Sequence, residues 1–354
     1  MTAATAPTAT ATAPRSLGPW LAQTLRLAGW MLFQARRRVM TKVLGGILLA
    51  GFLLLTGGEL LAYVAISNQS PARNGCPPAA VQTQEAESNG GAGFTCQEPT
   101  PEQLEDIKRA QQQEVNSQVQ GLTFPVSLGR VGTFTSFLGV LLLCILAGAL
   151  VGGEYAAGTV RLAISRGVGR GQLVVAQALG LAALALIVAG AMLVLGALSG
   201  VVIGPALGGH IPGLPFGGWL ELGAYWLALS LNIFIFELVA MFFAILGRST
   251  AAGIGAALGY LVGESIVSTI FVAVSQGIPG EFGQFLGHIP EWLLGVNSGA
   301  VPVYVSQSPV DLGISTNSVL VKLTTGHALA VTLGYCVLLI GLSYALVRTR
   351  DITD

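Results

Sequence analysis

Charge is what this sequence has least of. Asp, Glu, Lys and Arg make up 10% of its 354 residues, less than half of the ~25% that solvates an ordinary globular surface. A soluble globular domain is therefore excluded as the body of the protein. The 17 basic and 17 acidic side chains cancel, so net charge argues neither for nor against nucleic acid, and no nucleic-acid partner is expected. Histidine is rarer still, with 3 residues. No His-Glu-x-x-His, Cys-x-x-Cys or His-rich tract occurs, which leaves no metal site to expect. The phosphate-binding pattern Gly-x-x-x-x-Gly-Lys-[Ser/Thr] is also missing, and Gly-Lys never occurs as a dipeptide. The chain is thus not expected to be an enzyme or to bind a cofactor, and energy for any work must come from a partner or an ion gradient.

Cysteine is limited to 4 residues of two kinds. Cys144 and Cys336 stand inside apolar runs, where a thiol acts as a small hydrophobe. Cys76 and Cys96 stand in a polar stretch rich in Pro, Gly and Gln. Outside the cytoplasm those two are expected to form a disulfide, stabilising a small loop domain by about 3 kcal/mol.

What the chain has in excess is apolar surface: 53% hydrophobic residues and a mean hydropathy of +0.71. A helix needs roughly 20 apolar residues to cross a bilayer. Six segments qualify, at 43–66, 131–152, 172–203, 219–246, 251–275 and 325–347. The third is long enough to kink or end early near Ser199-Gly200. The fourth and fifth are joined only by Gly247-Arg248-Ser249-Thr250, a tight helical hairpin. Ahead of them, residues 1–16 are Thr/Ala/Pro-rich and read as a disordered tail rather than a signal peptide, because the first long apolar run begins only near Leu44. Residues 17–42 carry Trp20, Leu21, Leu25, Leu27, Met31 and Leu32 at helical spacing, followed by Arg36, Arg37 and Arg38, the pattern of an amphipathic helix lying in the interface. The expectation is an all-α membrane protein with six transmembrane helices and an N-terminal interfacial helix.

Basic residues orient it. With the N-terminus inside, 12 of the 17 basic residues fall in inner segments, as the positive-inside rule requires. Both termini, the latter being residues 348–354, are then cytoplasmic. Residues 67–128 become an extracellular loop domain, closed by Cys76–Cys96, with a capping box at Thr100-Pro101-Glu102-Gln103 opening a polar helix that runs to about Gln120. Its acids (Glu98, Glu102, Glu105, Asp106) read as a solvated face. Residues 276–324, with Phe282, Phe285, Leu286, Ile289 and Trp292, are too apolar to be solvated and too broken to span. Re-entrant helices before the last span fit them.

The segment 153–170 is compact and basic: an acid at the membrane boundary, Glu154, then Gly158-Thr159-x-Arg161, Ser165-Arg166 and Arg170. It forms a short amphipathic foot between two spans. This run, just after the second span, resembles the signature of type-2 ABC transporter permeases, and the resemblance extends to the architecture over roughly residues 17–350. Two departures are visible: Gly167 stands where Pro is common, and Gln177 where Lys is common. The resemblance implies that 153–170 is the coupling helix seated in a cleft of a separate ATPase. Glu154, Gly158, Thr159 and Arg161 are then the coupling elements, with Ser165, Arg166 and Arg170 at or near the contact. Glu154 would pin the loop and Gly158 would allow close approach. It further implies two cytoplasmic ATPase subunits holding the ATP and Mg, a second permease copy as a homodimer, residence in the bacterial inner membrane, and outward movement of a lipid-like, drug-like or amphipathic peptide substrate.

Acids inside the spans are expensive, about 2.5–3.5 kcal/mol each at the centre on insertion scales. Glu237 and Glu264, with Asn232 nearby in sequence, are candidates for a substrate path; packing through hydrogen bonds to such neighbours is the plainer alternative. Glu59 lies nearer the outer end of the first span. An ion-coupled secondary transporter using Glu237 and Glu264 is a rival reading, as is a sensor or assembly protein built on the external loop. A serine-protease reading of Ser249 with His327 fails, since the two fall at opposite faces, on the order of 30 Å apart.

Overall fold

The computed structural model describes residues 17–68, 101–306, 310–314 and 321–349. Helix α1, Leu17–Arg37, buries Thr24, Ala28, Met31 and Ala35. That spacing of four, three and four residues is one helical face, and it packs along α6 (Arg170–Ala206). Outside that stripe Leu21, Leu25, Trp30 and Phe33 are exposed, as on an interfacial helix. Arg38 alone, with an extended backbone of φ −70° and ψ 134°, separates α1 from α2 (Val39–Ser67).

The centre of the bundle is made by α4 (Val126–Ala156) and α7 (Phe216–Gly247). Helices α6, α8 (Thr250–Gly277) and α11 (Thr325–Thr349) pack around them. Buried Leu143, Cys144, Ala147, Leu229, Ile233, Leu238, Ala240 and Met241 form their common core. α4 and α8 cross at backbone distance. A Cβ on Gly148 would lie 2.8 Å from the Ile254 amide nitrogen, and one on Gly152 would lie 2.6 Å from the Thr250 Cα. Small residues four apart are what lets apolar helices approach so closely in a membrane. Five residues of α4, Thr135–Gly139, form a π-helical turn.

Among the described residues, α2, α4, α6, α7, α8 and α11 are the six helices long and apolar enough to cross a membrane. α6 runs unbroken through Ser199-Gly200 for 37 residues, about 55 Å of helix, so it projects beyond a hydrocarbon core of about 30 Å. The α7–α8 hairpin turns at Arg248, which adopts a left-handed φ of 49°. Ser249 then caps α8, its Oγ accepting from the Ala252 amide at 3.1 Å. Arg38, the turn after α4, the α7–α8 hairpin and the end of α11 meet at one end of the bundle, here called the basic end.

At the opposite end the expected disulfide-closed loop domain is corrected. No disulfide bond is found among the described residues; Cys144 and Cys336 are free and buried in different spans. Cys76 and Cys96 lie outside the described residues. The described part of that segment is held without a covalent link. Helix α3, Pro101–Leu122, is tied to the end of α2 by Gln111, whose Nε2 donates to the Ile66 carbonyl at 3.0 Å. A salt bridge of 2.9 Å joins Arg130 of α4 to Glu59 of α2, with the guanidinium filling the space that Gly121 of α3 leaves free.

After α8 the chain folds back into the bundle. Helix α9 (Glu281–His288), a 3-10 turn (Ile289–Trp292) and α10 (Leu294–Val305) descend and return on the same end. Gly295 reaches Glu264, 13 residues before the end of α8 at Gly277, a depth of about 20 Å at 1.5 Å per residue.

Candidate functional site

Two groups of residues carry the chemistry: a foot at the basic end and acids within the spans. The foot begins where α4 ends. Gly158, with φ +68°, turns the chain through the left-handed region, which a side chain would resist by about 1–2 kcal/mol. Thr159 Oγ1 then donates back to the Glu154 carbonyl at 2.9 Å. Helix α5, Thr159–Ser165, follows and seats Val160 as its buried anchor. Its outward residues are Arg161, Leu162, Ser165 and Arg166, all exposed.

Three long-range contacts fix the foot. Gln177 Nε2 of α6 donates to Glu154 Oε2 at 2.8 Å. Arg38 Nη1 donates to the Ala149 carbonyl at 2.9 Å, and its guanidinium lies close enough to act on the Glu154 carboxylate. Arg170 Nη1 donates to the Arg348 carbonyl at 3.0 Å, placing a cation on the C-terminal carbonyls of α11, where helix geometry favours one. Arg170 is thus turned toward α11, whereas Arg161, Ser165 and Arg166 face outward. Ser165 Oγ donates within its own helix to the Leu162 carbonyl at 2.9 Å. Beneath the foot, between α1, α5 and α6, is a cavity of about 390 Å³.

The spans hold the second group. Glu237 is fully buried in the core, near Cys144, and neither carboxylate oxygen has a hydrogen-bond partner among the described residues. Asn232 is buried on the same helix. Glu264 is placed differently. Its Oε1 accepts from the amides of Gly295 and, at 3.3 Å, Val296, the first turn of α10. Asn297 Nδ2 completes that turn by donating to the Glu291 and Leu293 carbonyls, each at 2.7 Å. His327 Nε2 donates to the Glu291 carbonyl at 2.9 Å and is remote from Ser249, which serves as a helix cap at the other end.

Sequence reasoning overlooked Arg38 as an anchor, Gln177 as the partner of Glu154, and the amides of α10 as partners of Glu264. Each pairing bridges segments 23 to 111 residues apart or joins a side chain to a backbone group, so no local pattern announces it. Among the described residues there is no group of three or more His, Cys, Asp or Glu that would hold a metal.

Six apolar helices with a basic foot between the second and third make this a multi-pass helical membrane protein. Residues 35–352 match the family described as ABC-2 family transporter protein, and the chain belongs to that family. No curated protein and no solved structure gives a significant match. Membership of this family implies partnership with an ATPase subunit.

Proposed function

We propose that the chain is the permease subunit of an ATP-driven exporter, with the basic end in the cytoplasm and 153–170 as the segment that receives force from the ATPase. The observation that carries this reading is the construction of the foot. The segment 153–170 is held at its two ends by the Glu154–Gln177 bond and the Arg170–Arg348 contact, with Val160 of α5 buried between them, and it presents Arg161, Leu162 and Arg166 outward. A rigid element fixed to α4, α6 and α11 transmits a displacement to three spans at once. The concentration of Arg36, Arg37, Arg38, Arg161, Arg166, Arg170, Arg248 and Arg348 at this end supports its cytoplasmic orientation through the positive-inside rule in a bacterial inner membrane.

The functional unit is a homodimer bearing two ATPase subunits. α2 and α8 are the least buried spans. On α8, Gly255, Gly259 and Gly263 have open space where a Cβ would stand, the small-residue spacing through which membrane helices associate. A lipid-like, drug-like or amphipathic peptide substrate passes outward between the protomers, with α2, α4 and α8 as its walls. Purification of the tagged chain in mild detergent tests this. An ATPase of about 200–300 residues should co-purify in equal amount and hydrolyse ATP faster in the complex. A chain that purifies alone and transports in the absence of ATP overturns the reading.

A further inference from the structure

Helix α1 carries a second stripe besides the one it buries. Arg26, Trp30, Phe33 and Arg37 follow one another at spacings of four, three and four residues, so they share one face. Each stands two positions after a member of the buried stripe Thr24, Ala28, Met31 and Ala35, about 200° around the helix. All four are exposed, Trp30 at 58% and Phe33 at 45%. The stripe is ordered along its length. The rings of Trp30 and Phe33 are 5.8 Å apart between centroids, and the Arg37 guanidinium carbon lies 4.4 Å from the centroid of the Phe33 ring. An aromatic pair is thus bracketed by two arginines, about 16 Å apart along the axis at 1.5 Å per residue.

No acid neutralises this charge. The first acid in the sequence is Glu59, preceded by Arg15, Arg26, Arg36, Arg37, Arg38 and Lys42. Among the described residues no carboxylate lies within salt-bridge distance of Arg26, Arg36, Arg37 or Lys42, and all four cations are exposed. Depth is set by α2. Arg38 alone separates the two helices, and α2 at once presents exposed apolar residues at Val39, Val43 and Ile47. Arg36, Arg37 and Lys42 therefore stand where the chain enters the bilayer. Aromatic rings favour that level, and cations held there face the lipid phosphates.

We propose that this face of α1, with Arg36 and Lys42 beside it, is a binding surface for anionic phospholipid headgroups of the leaflet at the basic end. Arg26 and Arg37 stand at opposite ends of the aromatic pair, so each takes a phosphate of its own, with Trp30 and Phe33 between them at the boundary of headgroup and acyl chain. A zwitterionic headgroup offers the same phosphate but brings an ammonium, which the arginines repel and for which α1 has no acid. The surface therefore selects a lipid of net negative charge. Its occupation holds α1 to the membrane along the side turned away from α6.

The test is native mass spectrometry of the delipidated full chain, titrated with phosphatidylglycerol and phosphatidylcholine carrying identical acyl chains. Phosphatidylglycerol should bind more tightly. Arg26→Gln and Arg37→Gln should each weaken it about fivefold, the scale of one basic side chain at an anionic surface, and leave phosphatidylcholine unchanged. Arg26→Lys keeps the charge and should keep the preference. Lys108→Gln removes one positive charge from α3 at the opposite end and should alter neither lipid. Equal binding of the two lipids overturns the proposal. So does a preference that survives the double variant Arg26→Gln/Arg37→Gln, because the lipid then sits elsewhere, and so does an equal loss in Lys108→Gln, which reduces the effect to net charge. A face that docks the ATPase instead gives no headgroup preference on the isolated chain, which also overturns it. The proposal is independent of the exporter reading: a chain that selects this lipid and recruits no ATPase would sink that reading alone.

Discussion

The carboxylate of Glu264, midway along α8, caps α10 by accepting the amides of Gly295 and Val296. A span is thereby bonded to the helix that dips in from the opposite end, and the two cannot shift independently without exposing amides in an apolar setting. An unsatisfied buried donor costs about 1–3 kcal/mol.

Glu264→Ala should accordingly lower stability in detergent by about 1–3 kcal/mol, with loss of transport. Glu264→Gln keeps a carbonyl oxygen to accept from an amide and should recover a large part of that stability. Thermal unfolding of the purified variants checks this. Equal destabilisation by Ala and Gln would show that the cap is not what Glu264 supplies.

Glu154→Ala should leave the helices intact and separate ATP hydrolysis from export. It removes the carboxylate that Gln177 holds but none of the apolar anchors of α5. Arg161→Ala, on the exposed side of the same helix, should do likewise. Hydrolysis and export measured together in reconstituted vesicles decide the matter, and normal coupling in both variants refutes the role assigned to the foot.

Gly158→Ala forces a side chain into the left-handed turn at φ +68°. A loss of about 1–2 kcal/mol is expected, confined to the foot. Faster proteolysis at 157–167 with an unchanged global melting temperature would be the signature; unaltered cleavage would mean the turn tolerates the change.

Two glycine substitutions in the membrane domain, one inside a helix crossing and one on an open face, should diverge. Gly148→Leu places atoms into the α4–α8 crossing, where a Cβ already meets backbone at 2.8 Å. Overpacking of this kind costs about 1–3 kcal/mol or more, so little folded protein should accumulate. Gly259→Leu enters open space within the protomer and should fold, yet fail to form dimers on size-exclusion chromatography with light scattering. A dimeric Gly259→Leu removes α8 from the proposed interface.

How much of this was legible beforehand follows from the range of each interaction. The apolar runs are local, so the sequence indicates six spans, the α7–α8 hairpin through Gly247–Thr250 and the foot after α4. The amphipathic α1 is likewise written in its spacing. Orphaned partnerships are not local. Glu264 is an intramembrane acid in the sequence, and only the fold supplies the Gly295 amide; a backbone donor leaves no trace in residue identity. Gln177 is one of the few polar residues of an apolar helix until Glu154 is brought beside it. The expected disulfide rested on the polar surroundings of two cysteines. Composition of that sort does not fix the distance a sulfur–sulfur bond requires, and the contacts that hold α3 to the bundle run instead through Gln111, Arg130 and Glu59.

Arg38 is the one extended residue between α1 and α2, and its side chain is fastened to the Ala149 carbonyl at the end of α4. The joint is therefore held by a third helix, and the same span is fastened again near its far end, where Glu59 meets Arg130 of α4 and the Ile66 carbonyl meets Gln111 of α3. The first span is thus tied at both ends to one neighbour, α4, which is itself locked to α8 through Gly148 and Gly152.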